Sequence, residues 1–476
     1  MFAQREDVFV AGEWVPATGD RQLEMVNPAT ERVAYRVREA GRAEVNAAVQ
    51  AARELLESGE WSELPVKDRA AALGRFADEL ARREGPLSEA IRNEMGAPVN
   101  RPSEVQGAVG LTRFLASLAD ELRFEERREG AFRPSVIRRV PVGVVAAVAP
   151  WNAPLFLALQ KAIPALLAGC PVIIKPAPET AYDSHVLAEA FQAADLPRGA
   201  VSILPADREI SEYLVSHPGV DKISFTGSTA TGRRVAELAG REFKRVTLEL
   251  GGKSAAIVLP DADFGAIMPA VVTGTTVNSG QACSLLSRIL IPRARHDEFM
   301  AVYTAALDTV IVGEPTDEAT TLGPIVSRRQ YDRVLSYIEL GRTEGATLAY
   351  GGGRPDGVST GFYVRPTVFT DVANTMRIAQ EEIFGPVICV IDYDTVDEAV
   401  AIANATPFGL SGAVFGDPDQ ALEVALRVRA GSQTVNTAVD FDFNAPYGGF
   451  KASGTGRELG GVEGIMSFTE PLTVGV

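Results

Sequence analysis

The chain has 476 residues, 46% of them hydrophobic and 23% charged, with glycine and proline scattered along its length. This is the composition of an ordinary folded protein, and at roughly 100–200 residues per domain it predicts two or three domains. A formal charge of −16, without clustered Lys and Arg, argues against nucleic acid or an anionic membrane surface as partner, so a small molecule is the expected ligand.

In chain order, the opening "MFAQREDVFVAGEW" has acidic residues where a signal peptide needs a cationic stretch. Val45, Ala48, Val49, Ala52 and Leu56 recur at helical spacing, and Leu73, Phe76, Ala77 and Leu80 repeat the pattern. Segment 121–140, "ELRFEERREGAFRPSVIRRV", carries charges on both sides of a glycine and reads as an excursion hairpin. From 143 the texture changes. Short apolar runs, "GVVAAVA", "PVIIK", "AVSIL" and "DKISF", alternate with helix-like segments at 154–168, 180–194 and 229–239, as βαβ units around a buried parallel sheet do. The longest apolar region, 141–174, is broken by Asn152, Gln160, Lys161 and several prolines, so no membrane span is expected. After "LELGGK" a second alternation has apolar runs at 255–259, 286–291, 386–391 and 411–415, and helical stretches at 295–308 and 418–430. Two stacked α/β domains are the simplest account. The tail "FTEPLTVGV" reads as a short strand that could pair with the 121–140 hairpin to form an oligomer contact.

Four stretches could carry chemistry. Asn152 stands between a strand and a helix beginning near Pro154, where it could cap the helix or present an amide to a ligand crevice. In "FTGSTATG", Gly227 and Ser228 open a helix and could hold a phosphate. The spacing is not GxGxxG, which occurs nowhere in the chain, so the segment alone does not specify a dinucleotide. Glu249, at the end of an apolar run before two glycines, is either a poorly hydrated carboxylate with a raised pKa or a strand-end partner in a surface ion pair. Cys283, in "NSGQACS", lies between a helix-like stretch and an apolar strand, and is either a packed thiol or a nucleophile. A histidine partner for that thiol stays open. Cys170, Cys283 and Cys389 make no disulfide framework, and His185, His217 and His296 show no metal-site spacing, so a reducing cytoplasm and no metal are expected.

Eight motifs in order, "PWN" at 150, "KPAPET" at 175, "FTGSTATG", "LELGGKS", "NSGQACS", "EEIFGPV" at 381, "NATPFGLSG" at 404 and "PYGGFKASGTGRELG" at 446, resemble those of the aldehyde dehydrogenase superfamily, nearly end to end. The resemblance implies an α/β fold of two Rossmann-like parallel-sheet domains and a small β extension for oligomerisation. It divides the chain into a cofactor-binding domain at 1–120 and 142–250, a catalytic domain at 251–450, and a bridging extension at 121–141 and 465–476. It further implies that Cys283 attacks an aldehyde, that Asn152 and the Cys283 N–H hold the oxyanion, and that Glu249 activates water to hydrolyse the thioester. Cofactor contacts would come from Trp151, Lys175, Gly227, Ser228, Glu382 and Phe384. A homodimer or homotetramer is implied.

Two departures from relatives bear on specificity. Pro178 stands where many NAD-preferring members carry a Glu, so NAD is expected with NADP as the alternative. Ala153 replaces a frequent aromatic, with Leu157 and Gln160 on the following turns, while Ala282 and Ser284 flank the thiol with small groups and Phe441, Phe443 and Tyr447 supply an aromatic wall. No arginine in these segments is an obvious anchor for a second carboxylate. A medium-sized to bulky apolar or aromatic aldehyde is the expected substrate. The competing readings are a CoA-acylating semialdehyde dehydrogenase, which Glu249 argues against, and a catalytically dead structural or binding member, which the presence of Cys283 and Asn152 argues against.

Overall fold

The computed structural model describes residues 3–438 and 442–476. Among these, an eight-stranded sheet and a seven-stranded sheet carry most of the fold. Five strands of the first are parallel, in the order Arg245–Glu249, Lys222–Thr226, Val145–Val148, Val172–Lys175 and Val201–Ile203. Their near-continuous apolar runs are buried because helices cover both faces, including Pro154–Leu167, Asp183–Ala193 and Thr229–Arg241. The chain lays strands to one side of Val145–Val148 and then returns to the other. The order therefore reverses between Val145–Val148 and Lys222–Thr226, and a ligand crevice forms where the carboxyl ends diverge. Asn152, Lys175, Gly227, Ser228 and Glu249 all lie at or just beyond those ends.

The second sheet runs Thr347–Tyr350, Thr367–Thr370, Val387–Tyr393, Arg288–Pro292, Ala255–Val258, Ser411–Phe415 and Ser432–Val435, parallel except at its first edge. The chain then returns to the first sheet: Gly454–Thr455 pairs antiparallel with Leu248 and Glu249. In a separate three-stranded sheet, Glu125–Arg128 and Thr469–Gly475 flank Ser135–Pro141 on either side.

Some boundaries differ from the sequence expectation. The helix expected from 180 begins at Asp183, because the Glu94 carboxylate accepts from the backbone N–H groups of Tyr182 and Asp183 and caps it there. The segment 418–430 ends its helix at Arg427. Residues 3–38 hold five short strands that periodicity did not indicate. Two of them turn through Ala11 and Gly12, both at positive φ, and add antiparallel to the edge of the first sheet.

Candidate active site

The loop before Cys283 is built from strained backbone. The helix Phe264–Thr276 ends, and Asn278, Ser279 and Gly280 then take φ of 52°, 57° and 75° in succession. For non-glycine residues this region costs about 1–2 kcal/mol each. The cost is offset by polar anchoring. Asn278 Nδ2 donates to the carbonyls of Asn152 (2.9 Å) and Gln281 (3.1 Å), Arg101 donates to Asn278 Oδ1 (2.6 Å), and Ser279 Oγ donates to the Gly323 carbonyl (2.8 Å). Gln281 closes the turn through the Asn278 carbonyl and the Val326 N–H. A Cβ on Gly280 would stand 2.1 Å from the Gly385 carbonyl carbon, so only glycine fits. The small polar residues of "NSGQ" are thus consumed in aiming the next two residues.

Cys283 is half-buried, while Cys170 and Cys389 are fully buried and donate to the Phe468 and Ile378 carbonyls. Burial pushes the Cys283 thiol up to about 12, opposed by its contact with the Tyr447 hydroxyl, with Glu382 and Glu249 raising it further. Tyr447 Oη lies 3.8 Å from Sγ. The open question of a histidine partner is resolved by placement. His185 contacts the Ala181 and Asp7 carbonyls, His217 Nδ1 accepts from the Gly219 N–H, and His296 pairs with Asp392.

Asn152 does not cap the following helix; Ala153 holds that position, and the Phe156 N–H is satisfied by Glu104 Oε1 at 3.0 Å. The Asn152 amide instead donates to the Gln281 carbonyl at 3.1 Å, which ties it to the nucleophile loop and leaves its second N–H for a ligand. The Cys283 backbone N–H donates to no described residue.

Glu249 is 4% exposed, and neither carboxylate oxygen has a partner among the described residues. Burial raises its pKa well above the ordinary carboxylate value, Glu458 raises it further, and Lys161 and Arg457 oppose them. The surface ion pair left open by the sequence is therefore not formed. Glu458 itself is fully engaged: Lys161 Nζ donates to both its oxygens (2.8 and 3.0 Å), and Gln160 Nε2 (2.8 Å) and Ser224 Oγ (2.7 Å) complete the set. This corrects the expectation for Gln160, which is 2% exposed with its amide on Glu458 and does not face an aldehyde cleft. Sequence reasoning missed Lys161 and Glu458. Glu458 lies inside the quoted motif at 446 and Lys161 in the helix-like segment 154–168, but 297 residues separate them and only the fold joins them.

Along the crevice, Lys175 is buried and held down to about 8 by desolvation, with Glu179 and Asp207 acting against that shift. Ser228 caps the helix Thr229–Arg241 by accepting from the Thr231 N–H at 3.2 Å, and the Gly227 N–H donates to the Glu249 carbonyl at 3.0 Å. Burial raises Glu382 to about 7, and its Oε1 accepts from the Gly252 N–H at 3.0 Å. Phe384, at φ 61°, meets Trp151 edge to face at 5.2 Å. Gln330 fixes that turn by donating to the Ile383 and Phe384 carbonyls.

Of the residues expected at the aldehyde wall, Ala153, Leu157 and Ala282 are half-buried, and Ser284 and Tyr447 are buried. Phe443 contacts Phe114 and Phe156, at ring separations of 5.9 and 6.1 Å. Phe114 and Phe156 were not singled out from sequence. Gly107, Gly110 and Phe114, at helical spacing on Glu104–Ser117, are the signal that could have found them, since a Cβ on either glycine would only just touch Phe156 or Phe443. Phe441 lies outside the described residues.

The chain is similar to known proteins along nearly its whole length. A geranial dehydrogenase of Castellaniella defragrans is 45% identical over 464 residues, covering 97% of this chain and 96% of that protein. The crystal structure of a Mycobacterium tuberculosis aldehyde dehydrogenase complexed with NAD+ superimposes with a TM-score of 0.96 at 41% identity, covering 100% of this chain and 99% of that one. A mutant aldehyde dehydrogenase C of Pseudomonas syringae, complexed with NAD+ and octanal, gives 0.94 at 40% identity over 98% of this chain and 96% of that one. The model of the aldehyde dehydrogenase family matches residues 14–474, and the chain belongs to that family.

Proposed function

We propose that the protein oxidises a medium-sized to bulky apolar or aromatic aldehyde to its carboxylic acid with NAD, through a covalent adduct on Cys283. The observation that carries this reading is the buried carboxylate of Glu249, unpaired among the described residues, in the same crevice as a thiol that no cationic side chain among those residues activates. Cys283 Sγ adds to the aldehyde carbonyl, and the second Asn152 N–H and the Cys283 backbone N–H hold the oxyanion. Bound NAD supplies the acceptor for the hydride that leaves this adduct. Glu249 then takes a proton from water as the water attacks the resulting thioester, and its raised proton affinity suits that task near neutral pH. Glu458, next to burial, sets that affinity, and Lys161 neutralises Glu458 so that two bare carboxylates do not face each other. A water-activating base favours hydrolysis over acyl transfer to CoA.

The crevice fits a dinucleotide. Lys175 is a buried ammonium suited to ribose hydroxyls, Gly227 and Ser228 open a helix toward a pyrophosphate, and Glu382 and Phe384 with Trp151 bound the nicotinamide end. A Cβ on Gly251 would stand 2.4 Å from Glu382 Oε2, so the glycine leaves that carboxylate its room. Glu179 and Asp207 near Lys175 make the ribose end acidic, which disfavours a 2′-phosphate and supports NAD over NADP. On this reading residues 1–120 and 142–250 bind the cofactor, 251–450 form the catalytic domain, and 121–141 with 465–476 form the bridging extension.

The relatives support the substrate class, one by the name geranial dehydrogenase and one by an octanal complex. Ala153, Leu157, Phe114, Phe156, Phe443 and Tyr447 would line the aldehyde's path. In a panel of aldehydes with both cofactors, kcat/KM should be highest for terpenoid, aromatic or medium-chain aldehydes with NAD, and a preference for succinate semialdehyde would overturn the substrate assignment.

Association is expected through the three-stranded sheet. Its edge strand Glu125–Arg128 is exposed throughout, and Phe132, Leu472, Val474 and Val476 leave apolar surface on the same element. Light scattering at micromolar concentration should report a dimer or tetramer; a monomer would remove this assignment. No helix among the described residues is long and apolar enough to cross a membrane, and three free cysteines fit a reducing cytoplasm.

A further inference from the structure

Three contacts fix which way the Asn278 amide points. Its Nδ2 donates to the carbonyls of Asn152 (2.9 Å) and Gln281 (3.1 Å), and its Oδ1 accepts from Arg101 Nη1 at 2.6 Å. A carbonyl oxygen only accepts and a guanidinium only donates, so the reverse orientation would break all three. The Gln281 carbonyl also accepts from the Asn152 amide at 3.1 Å. Asn278 and Asn152 thus share one acceptor just before Cys283, in a small ring that ties the Asn152 backbone, the Asn152 amide and the nucleophile turn together. Arg101 is the charged group attached to that ring. Among the described residues its guanidinium forms no ion pair, and the bond to Asn278 is the one hydrogen bond it makes.

The position of Arg101 is itself built. Its backbone N–H closes a turn on the Pro98 carbonyl at 3.1 Å, ahead of the helix Glu104–Ser117. The Val99 N–H donates to the Pro315 carbonyl (2.9 Å) and Asn100 Nδ2 to the Glu318 carbonyl (3.1 Å), which pins the residues before the arginine. At the start of the same segment, a Cβ on Gly323 would stand 2.0 Å from the Gly96 carbonyl oxygen, and the Gly323 carbonyl in turn accepts from Ser279 Oγ. Segment 96–101 therefore supports both left-handed residues ahead of Gly280: Asn278 through Arg101, and Ser279 through Gly323.

We infer that Arg101 is a positioning residue for the oxyanion hole: by holding Asn278, it fixes the Asn152 amide and the Cys283 turn relative to each other. The inference rests on the roles proposed above for Cys283 and Asn152. A charged donor on the Asn278 oxygen strengthens the bonds its Nδ2 makes to the two carbonyls. Donors to an oxyanion are effective when they are already in place as the charge develops. Without Arg101 the reacting groups remain chemically intact and lose only their alignment.

The test is single-turnover NADH formation, with enzyme in excess over aldehyde and NAD saturating, in wild type, Arg101→Met, Asn278→Ala and the double variant. Methionine keeps an apolar stem and removes the charge and the donors. The rate constant at saturating enzyme should fall by about tenfold in Arg101→Met and by about thirtyfold in Asn278→Ala. Because Arg101 acts through Asn278, adding Arg101→Met to Asn278→Ala should slow the reaction no further. A merely structural role would lower Tm and leave the rate constant at saturating enzyme unchanged. The inference is overturned by an Arg101→Met rate constant within about twofold of wild type, or by effects that multiply in the double variant. If Asn278→Ala does not fold, the Arg101→Met rate constant decides alone. Either failure leaves the dehydrogenase assignment standing, whereas NADH formed by Cys283→Ala under the same conditions would remove that assignment whatever Arg101 does.

Discussion

Cys283→Ala should lower the kcat for aldehyde oxidation by about 10³-fold or more, since loss of the nucleophile removes the covalent route entirely. The two remaining cysteines offer no substitute, because both are fully buried and bonded to backbone carbonyls. The fold should survive the change. The loop that aims Cys283 is held by Arg101, Asn152, Asn278, Ser279 and Gln281, none of which bonds to the thiol, so the stability cost should stay near 1 kcal/mol. NAD affinity, measured by fluorescence titration, should also persist, because the proposed cofactor contacts at Lys175, Gly227, Ser228 and Glu382 are untouched. Loss of turnover with retained folding and cofactor binding is the expected combination. Residual activity above a few per cent of wild type would take Cys283 out of the mechanism.

How much of this was legible in the sequence depended on whether local chemistry decided the outcome. The parallel strands were readable because a strand buried on both faces must be apolar at every position, as in Val145–Val148 and Val172–Lys175. Their boundaries came within a few residues, and the crevice followed from where the strands end. The N-terminal strands were not readable: Gln22–Asn27 and Arg32–Arg38 mix charged and apolar residues, and their turns lack an Asn-Gly or Asp-Gly signal.

Within the candidate site, a placement that depends on a local motif could be read in the sequence, and one that depends on a distant partner could not. Glu249 could be picked out because an apolar strand followed by two glycines predicts a poorly hydrated carboxylate. That Glu458 and Lys161 stand behind it could not, since a buried ion pair appears only once the helix Pro154–Leu167 meets the returning segment at 458. The same encounter explains why Gln160 was misplaced: helical spacing set it on a plausible wall, but Glu458 needed its amide more than the cleft did. Tyr447 was placed on the wall by its ring, while the 3.8 Å approach of its hydroxyl to Cys283 Sγ emerges only from the fold.

Glu249→Gln separates the two halves of the reaction. Acylation of Cys283 does not require a base for water, so mixing enzyme, aldehyde and NAD should give a burst of about one NADH per active site, followed by a steady state about 10²–10³-fold slower than wild type. Glutamine is nearly isosteric and removes a carboxylate that faces Glu458, so the buried network loses a repulsion and the fold should not weaken. Mass spectrometry of the stalled enzyme should find Cys283 carrying the acyl group. The pH dependence has a definite sign. Burial and Glu458 raise the proton affinity of Glu249, and only the deprotonated carboxylate can accept a proton from water. Wild-type deacylation should therefore rise with pH through a midpoint well above the ordinary carboxylate range, and that rise should be absent in Glu249→Gln. An unchanged steady state would move the base elsewhere. A burst slowed as much as the steady state would show instead that Glu249 acts first on the thiol, a role its position near Cys283 also permits.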